Sequence, residues 1–364
     1  MNLPRKIGFF SAFILPALVV VGCYMGGWYN WSSVLFVFVL MPLIDHFAGI
    51  DKENVPKDQQ GSVGQEFYYR FVTYVWVYVQ FAFFLWGIFV VSSGRLSDLP
   101  AWTGFTIGFA LVTGGIGITV AHELGHKKSA LERFYSKALL MTVCYMHFYI
   151  EHNRGHHVNV ATPLDPATAK KKQNFYAFWL QSVLGSFRHA WELEKNSLKL
   201  KGKSLWSLHN QMIWFVLLPI LFCVALMFAF NNFTWMIPLF FVVQSVLAFS
   251  LLELVNYVEH YGILRRETSP GQYERVNPLH SWNASHLISN FFLFQLQRHS
   301  DHHYNAIKRY QVLDHYDQSP QLPFGYPTMI LVAMVPPLWF RMMDPRLDTW
   351  ASQAADSDSY AFKS

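Results

Sequence analysis

Histidine is the residue type that best equips this chain to do chemistry. The sequence has 16 histidines but only three widely separated cysteines, so a cysteine-ligated metal site is not expected. Eleven of the histidines fall in or beside four short segments. The segments are HELGH at 122–126, EHNRGHH at 151–157, EHYG at 259–262 and QRHSDHH at 297–303. Because imidazole binds zinc, copper and iron, this clustering indicates a metal site.

The first two segments have spacings that suit ligands on a helix. Positions i and i+4 share a helix face, so His122 and His126 are expected to reach the same metal ion. His152 and His156 repeat that spacing. His157 is expected to point about 100° away from His156, toward a second site.

The last two segments raise the number of candidate ligands beyond what one metal ion needs. The spacings i, i+3 and i, i+4 are expected to place the three histidines of the fourth segment on nearly one face. The full set is His122, His126, His152, His156, His157, His260, His299, His302 and His303. A tetrahedral zinc site uses three or four protein ligands, so nine imidazoles suit two metal ions. The neighbouring carboxylates, Glu123, Glu151, Glu259 and Asp301, are expected to orient the imidazoles or balance the charge of the metals.

The elements that position these segments are predicted from four stretches that contain no Asp, Glu, Lys or Arg. They are residues 7–44, 71–94, 99–121 and 204–252. A membrane-spanning helix needs about 20 apolar residues, so the middle two stretches are one span each. The outer two are longer and have turn residues near their centres, which predicts helical hairpins. The six predicted spans are about 7–26, 31–50, 71–92, 101–121, 212–230 and 234–258.

The predicted fold is all-α, with six transmembrane helices and a helical cytoplasmic cap that carries the histidine-rich dimetal site. The cap comprises segments 122–203 and 260–348, where apolar residues recur at helical spacing. Residues 1–348 are expected to form one domain, and residues 349–364 a polar C-terminal tail. A cleaved signal sequence is disfavoured, because the first charge-free stretch continues to residue 44.

The distribution of charge predicts the orientation. Charged residues make up 14% of the chain, against about a quarter in soluble domains, which excludes an ordinary soluble enzyme. Arg95 is the one Lys or Arg on the side opposite the cap. By the positive-inside rule, both termini and the histidine segments are expected on the cytoplasmic side of a bacterial inner membrane. Nucleic-acid binding is not expected, because the sequence has no basic stripe with interleaved aromatic residues.

The strings around the histidines resemble those of the alkane 1-monooxygenases, within the superfamily of membrane histidine-motif oxygenases and desaturases. They are HELGHK at 122–127, EHNRGHH at 151–157, NYVEHYG at 256–262 and LQRHSDHH at 296–303. The string NYVEHYG is the most discriminating, because the three-box desaturase pattern does not require it. The resemblance extends from the first helix to about Asp348 and includes the six-span layout.

The resemblance implies a function and a set of partners. The nine histidines would hold two iron ions, and one oxygen atom of O2 would enter the terminal methyl group of a medium-chain alkane dissolved in membrane lipid. Electrons would come from NADH through rubredoxin reductase and rubredoxin. The chain has no Cys-x2-Cys pair, so rubredoxin is expected to be a separate protein. His286 is expected to lie close to the metal ligands.

Two further sets of residues have expected roles in substrate and partner binding. Bulky residues of the second span, Phe36, Val37 and Phe38, are expected to line the substrate channel, although packing against lipid or neighbouring helices is an open alternative. The basic residues Lys127, Lys128, Arg133 and Lys137 are expected to dock an acidic redox carrier. Contact with lipid head groups or simple solvation is the alternative for them.

Two other enzyme classes remain open from the sequence. A membrane fatty-acid desaturase or hydroxylase would use the same irons on an acyl chain. A membrane zinc protease would use His122 and His126 as metal ligands, with Glu123 as general base. The protease hypothesis leaves seven clustered histidines unexplained.

Overall fold

A computed structural model describes residues 3–355, and membrane-spanning helices dominate it. Six helices are long and apolar enough to cross a membrane: Arg5–Met25, Gly27–Ala48, Phe67–Ser92, Leu99–Gly125, Gln211–Ala229 and Met236–Glu259. Each overlaps the span predicted at that position. The prediction of an all-α, multi-pass membrane protein is therefore confirmed.

Three of the spans are not uniform α-helices. The first consists of Leu3–Gly8, a 3-10 segment Phe9–Phe13 and Ile14–Met25. The second consists of a 3-10 segment Gly27–Trp31, then Ser32–Leu35, a π-helical segment Phe36–Leu40 and Met41–Ala48. The fourth consists of Leu99–Ala110, a π-helical segment Leu111–Ile116 and Gly117–Gly125. A π-helical segment inserts an extra residue into an α-helix and often occurs at a functional site.

A close turn joins the first two spans, as the paired glycines predict. Gly26 and Gly27 have φ angles of +77° and +51°, which residues with a side chain rarely adopt. A Cβ atom on Gly22 would lie 2.3 Å from the carbonyl oxygen of Tyr29, so the helices approach closely here. Asn231, with φ +46°, makes the corresponding turn between the fifth and sixth spans.

The fourth span lies at the centre of the bundle, where buried hydrogen bonds of Gln and Thr side chains connect the helices. Thr113 of this span donates to the Gln244 side chain of the sixth span, at 2.9 Å. Gln244 donates in turn to the carbonyl oxygen of Thr142, at 2.8 Å. Gln80 of the third span donates to the hydroxyl of Thr142, at 3.0 Å. Because hydrocarbon offers no hydrogen-bond partners, these contacts fix how the spans pack.

Helices outside the spans build the cap. They are Lys57–Gln65, Ala130–Met141, Phe148–Glu151, the π-helical segment His152–His156, His157–Asn159, Phe175–Leu200, Leu287–Phe292, His299–Tyr304, the 3-10 segment Tyr310–Val312, Tyr326–Ala333 and Pro336–Ala355. The strands Glu267–Ser269 and Gln272–Tyr273 form one small antiparallel hairpin. The last helix, Pro336–Ala355, includes the first residues of the predicted polar tail 349–364. Residues 356–364 of that tail lie outside the described residues.

Candidate metal centre

The structure brings all nine predicted histidines together at one end of the spans, in two adjacent groups. The first group contains His122, His126, His152, His157 and His302, and the second contains His156, His260, His299 and His303. Within each group, the candidate ligand atoms lie within 4.8 Å of one another. The four histidine segments, far apart in the sequence, therefore form one site.

The second histidine segment divides between the groups differently from the sequence prediction. His152 was predicted to pair with His156, but its Nε2 atom lies 3.0 Å from Nε2 of His157, and His156 belongs to the other group. The reason is that His152–His156 is a π-helical segment. Its hydrogen bonds join residues five apart, so positions i and i+5 share a face instead of i and i+4.

The helix His299–Tyr304 lies between the two groups and supplies both. His299 and His303, four residues apart, stay together, with their Nε2 atoms 2.8 Å apart. His302 points to the first group, where its Nε2 atom lies 2.9 Å from that of His122. The prediction that all three share nearly one face is therefore wrong, because adjacent residues 302 and 303 diverge around the helix axis.

Distances between the ring nitrogens fit metal ligation. In the first group, Nε2 of His152 lies 3.1 Å from Nε2 of His126 and 3.0 Å from that of His157. In the second group, Nε2 of His299 lies 3.1 Å from that of His260. Two nitrogen ligands at about 2.1 Å from one ion and at right angles to each other lie about 3.0 Å apart. Each of the two groups is therefore suited to hold one metal ion. The five imidazoles of the first group exceed the four ligands usual for a tetrahedral zinc site.

Burial keeps most of these imidazoles neutral, as metal ligation requires. Burial and then the neighbouring imidazoles lower the pKa well below its usual value of 6.5 for seven histidines outside the spans. They are His126, His152, His157, His260, His299, His302 and His303. A neutral imidazole has one ring nitrogen with a free lone pair, which is the form that binds a metal.

His156 has a different electrostatic environment. Burial alone would lower its pKa, but the adjacent Asp165 carboxylate raises it. Asp165 Oδ2 lies 3.0 Å from Nδ1 of His156 and also accepts a hydrogen bond from the Thr168 hydroxyl at 2.6 Å. This contact fixes the ring so that Nε2 faces His303 at 3.2 Å. Asp165 is not predictable as a partner of His156 from the sequence, because nothing in the loop sequence indicates that the loop folds back on His156.

Of the four carboxylates predicted beside the ligands, Glu259 lies closest to them. Its Oε2 atom lies 3.1 Å from Nε2 of His299, and its Oε1 accepts a hydrogen bond from the hydroxyl of Tyr326 at 2.5 Å. Within residues 3–355, Glu259 and Asp165 are the two carboxylates with a recorded contact to a ring nitrogen of the nine histidines. Both contact histidines of the four-histidine group, so this candidate metal position has two adjacent carboxylates and the other has none in the described residues.

Glu151 and Asp301 act on the helices that carry the ligands. Glu151 Oε1 lies 3.1 Å from Nδ1 of His189, on the long helix Phe175–Leu200. A Cβ atom on Gly155 would lie 2.6 Å from that same Glu151 oxygen, so a larger residue there would have to displace the Glu151–His189 contact. Asp301 accepts hydrogen bonds from Lys308 and Tyr316, at 2.8 and 2.9 Å, and these bonds hold the helix His299–Tyr304.

Glu123 and Lys127 form a buried ion pair that differs from the roles predicted for both. The Lys127 Nζ atom lies 3.0 Å from Glu123 Oε1 and donates to the carbonyl oxygen of Lys308 at 2.6 Å. Lys127 is only 5% exposed, so its predicted role in docking a partner is wrong. Its ammonium group instead ties the end of the fourth span to the loop that follows the fourth histidine segment.

Three other predicted residues make no direct contact with the candidate ligands that this structure shows. His286 precedes the helix Leu287–Phe292, and its backbone pairs with that of Ile50. No contact between His286 and either histidine group is recorded in the described part of the chain. Lys128 is exposed, and Lys137 lies against the Tyr149 ring, with Nζ 5.3 Å from the ring centre.

Comparison with known proteins identifies the family. The fatty acid desaturase family model matches residues 97–332, which include all nine histidines. Alkane 1-monooxygenase 2 of Pseudomonas aeruginosa is 42% identical over 325 residues, covering 89% of this chain and 85% of that protein. Alkane 1-monooxygenase 1 of the same species is 43% identical, covering 87% of this chain and 82% of that protein. The chain belongs to the alkane 1-monooxygenase family.

A more distant relative matches almost the whole chain. The xylene/toluene monooxygenase hydroxylase component XylM of Pseudomonas putida is 26% identical, covering 94% of this chain and 89% of that protein. The relatives of this chain therefore include proteins named for aliphatic and for aromatic substrates.

An apolar cavity leads to the histidines of this alkane 1-monooxygenase family member. Its inner end is formed by His122, His152 and His299, from both groups. Apolar residues of the first, second, fourth and sixth spans form much of the rest, together with cap residues such as Phe148 and Ile330. The π-helical segment Leu111–Ile116 contributes Gly115.

The predicted channel residues of the second span lie at this cavity or just behind it. Val37 and Phe38 line the cavity. Phe36 lies one layer behind and packs against Phe292, a lining residue, with ring centres 6.0 Å apart. The π-helical segment Phe36–Leu40 therefore directs two of the three predicted side chains toward the cavity.

Proposed function

We propose that this chain is an integral-membrane non-haem di-iron monooxygenase that converts medium-chain n-alkanes to 1-alkanols. The observation that carries the proposal is the apolar cavity, whose inner end is formed by imidazoles of both histidine groups. An unbranched alkane in the cavity would present its terminal methyl group to the metal site. The names of the relatives, which are alkane 1-monooxygenases, support this substrate class.

The proposed cofactor is two iron ions, one in each histidine group. When bound, such a pair supplies the oxidizing power needed to attack an unactivated C–H bond, which has no polarity for side chains to bind. The overall reaction combines R–CH3, O2, two electrons and two protons to give R–CH2OH and water. The protein contributes neutral imidazole ligands, the orientation of His156 by Asp165, and a cavity that excludes water.

The cavity lining favours an uncharged substrate over a fatty acid. Among the described residues that line it there is no Lys or Arg, so a carboxylate inside it would lack a countercharge. Apart from the three histidines at the inner end, the polar lining residues are Thr119, Asn256, Glu259 and Tyr326, none of which carries a positive charge. A desaturase or hydroxylase acting on an acyl chain remains the second candidate, supported by the match to the fatty acid desaturase family.

The geometry disfavours a zinc protease. Its general base would be Glu123, but this carboxylate is paired with Lys127 at 3.0 Å and is 4.0 Å from Arg309. His122 and His126 lie in a group with three further imidazoles, which leaves no open position typical of catalytic zinc.

The proposed electron donor is rubredoxin, a separate protein reduced by an NADH-dependent reductase, and the proposed location of the site is the cytoplasmic face of the bacterial inner membrane. The excess of Lys and Arg on the side of the histidine segments supports this orientation. Lys128, Arg133 and Lys137 remain the proposed docking residues for the acidic carrier. Lys127 is not among them, because it is buried.

The function is tested with purified protein in lipid nanodiscs, supplied with iron, reduced rubredoxin and O2. We expect octane to yield 1-octanol, detected by gas chromatography, and metal analysis to find two irons per chain. Palmitate, tested in parallel, is expected to give no hydroxylated or unsaturated product. Product from palmitate but not from octane would overturn the alkane assignment in favour of an acyl substrate.

Replacing Phe38 with Ala is expected to extend the range of accepted alkanes toward longer chains, because the ring occupies space along the cavity. The measurement is the product profile from a series of n-alkanes offered one at a time. Val39→Ala is the matched control, because Val39 is 52% exposed and does not line the cavity. An unchanged profile in the Phe38 variant would contradict its role in limiting chain length.

A further inference from the structure

A second apolar space lies beside the active-site cavity, on the side of the fifth span. It is an open groove between the helix Phe175–Leu200 and the fifth and sixth spans. Most of the fifth span lies at the surface of the protein, since only 22% of its most apolar stretch is buried. Pro219, which lies within the fifth span and lines the groove, interrupts the hydrogen bonding of that helix. The groove therefore lies at the lipid-facing periphery of the bundle.

A wall of aromatic rings separates the groove from the active-site cavity. Tyr145 and Phe249 line the groove, and their rings are stacked with centres 4.7 Å apart. Behind Tyr145, at 6.4 Å, is the ring of Phe148, which lines the active-site cavity. Phe148 is stacked on His152, with ring centres 4.6 Å apart. Two layers of rings thus lie between the groove and a candidate metal ligand.

The two rings facing the groove are held differently. The hydroxyl of Tyr145 donates to Glu253 Oε1 at 2.8 Å, and this bond fixes its ring. Phe249 has no polar group, is only partly buried, and contacts Trp179 at its outer side, with ring centres 6.1 Å apart. Rotation of Phe249 therefore breaks no hydrogen bond, whereas displacement of Tyr145 would leave a buried carboxylate without this donor.

We propose that the groove is the entrance through which an alkane passes from the bilayer to the active-site cavity, and that Phe249 is the gate. The occupant is the unbranched alkane itself, whose apolar chain matches the lining of the groove. Only the aromatic wall formed by Phe249, Tyr145 and Phe148 separates the groove from the cavity, and the cavity reaches the histidines. This inference rests on the proposed function, since it assigns a route to the same substrate.

The natural cysteine of the fifth span provides the first test. Cys223 lines the groove, whereas Leu221, two residues earlier, is 54% exposed and does not line it. Cys223→Trp should fill the groove and lower kcat/KM for octane by about tenfold, with kcat changed less than about twofold. Leu221→Trp, the matched control, should leave both constants unchanged. Equal kinetics in the two variants would overturn the entrance proposal and leave the groove as a site for bilayer lipid.

The gate is tested by Phe249→Ala, which removes the movable ring. We expect branched alkanes to gain in kcat/KM relative to octane, because removal of the ring widens the proposed passage. An unchanged ratio in a variant with native iron content would contradict the gate. Loss of folding in this variant would not affect the Cys223→Trp comparison, which remains decisive for the entrance.

A binding measurement separates failure of the route from failure of the proposed function. Radiolabelled octane is mixed with the iron-loaded protein in nanodiscs without an electron donor, so that no turnover occurs, and the rate at which label becomes bound to the protein is followed. Cys223→Trp should slow this rate, whereas Leu221→Trp should not. If the native protein makes no 1-octanol but binds octane with this pattern, the function fails and the route stands. If it makes 1-octanol and the pattern is absent, the route fails alone.

Discussion

Replacing His260 with Ala is expected to reduce octane hydroxylation to below about 1% of the native rate. Loss of a residue that only orients a metal ligand typically lowers metal affinity or activity by about 10- to 100-fold, and loss of the ligand itself should lower activity further. His260 is one of only four imidazoles in its group, and it is 1% exposed. Three imidazoles then remain to hold the second ion. Metal analysis should therefore find about one iron per chain instead of about two.

The comparison variants make this result specific. His126→Ala leaves four imidazoles in the other group, so its loss of iron is expected to be smaller than that of His260→Ala. His209→Ala, at an exposed histidine outside both groups, should retain native iron content and activity. Two tightly held irons and native turnover in His260→Ala would refute the assignment of His260 as a ligand.

Replacing Lys127 with Met is expected to destabilise the protein by about 3–5 kcal/mol, because it leaves the buried Glu123 carboxylate without its main countercharge. Both side chains are less than a tenth exposed, so solvent cannot compensate for the lost ion pair. The bonds from Lys127 to the carbonyl oxygens of Ile307 and Lys308 are lost as well. The measurement is thermal unfolding in detergent, where a lower Tm is expected.

Two further variants distinguish a structural role of Lys127 from partner docking. The double variant Glu123→Gln, Lys127→Met should recover much of the stability, because no unpaired charge remains. Lys128→Met, at the exposed neighbour, should keep the native Tm. A Lys127→Met variant with native Tm but a higher KM for reduced rubredoxin would show that Lys127 contacts the carrier after all.

The sequence by itself determined the spans and the set of candidate ligands. Charge cannot be buried cheaply in a bilayer, so the lengths of the charge-free stretches were enough to predict six helices. Histidine is rarely clustered without a reason, so its four segments pointed to a single site. Both inferences depend on local composition, which the sequence displays directly.

Only the tertiary structure decided how the ligands divide and what surrounds them. Spacing rules assume a regular α-helix, and the π-helical segment His152–His156 breaks that assumption, so His157 joins His152 and His156 does not. Asp165 and Lys127 acquire their partners through loops that return to the site, which local composition does not encode. The cavity and its aromatic wall likewise depend on how whole helices pack, because side chains from several spans must meet to form them.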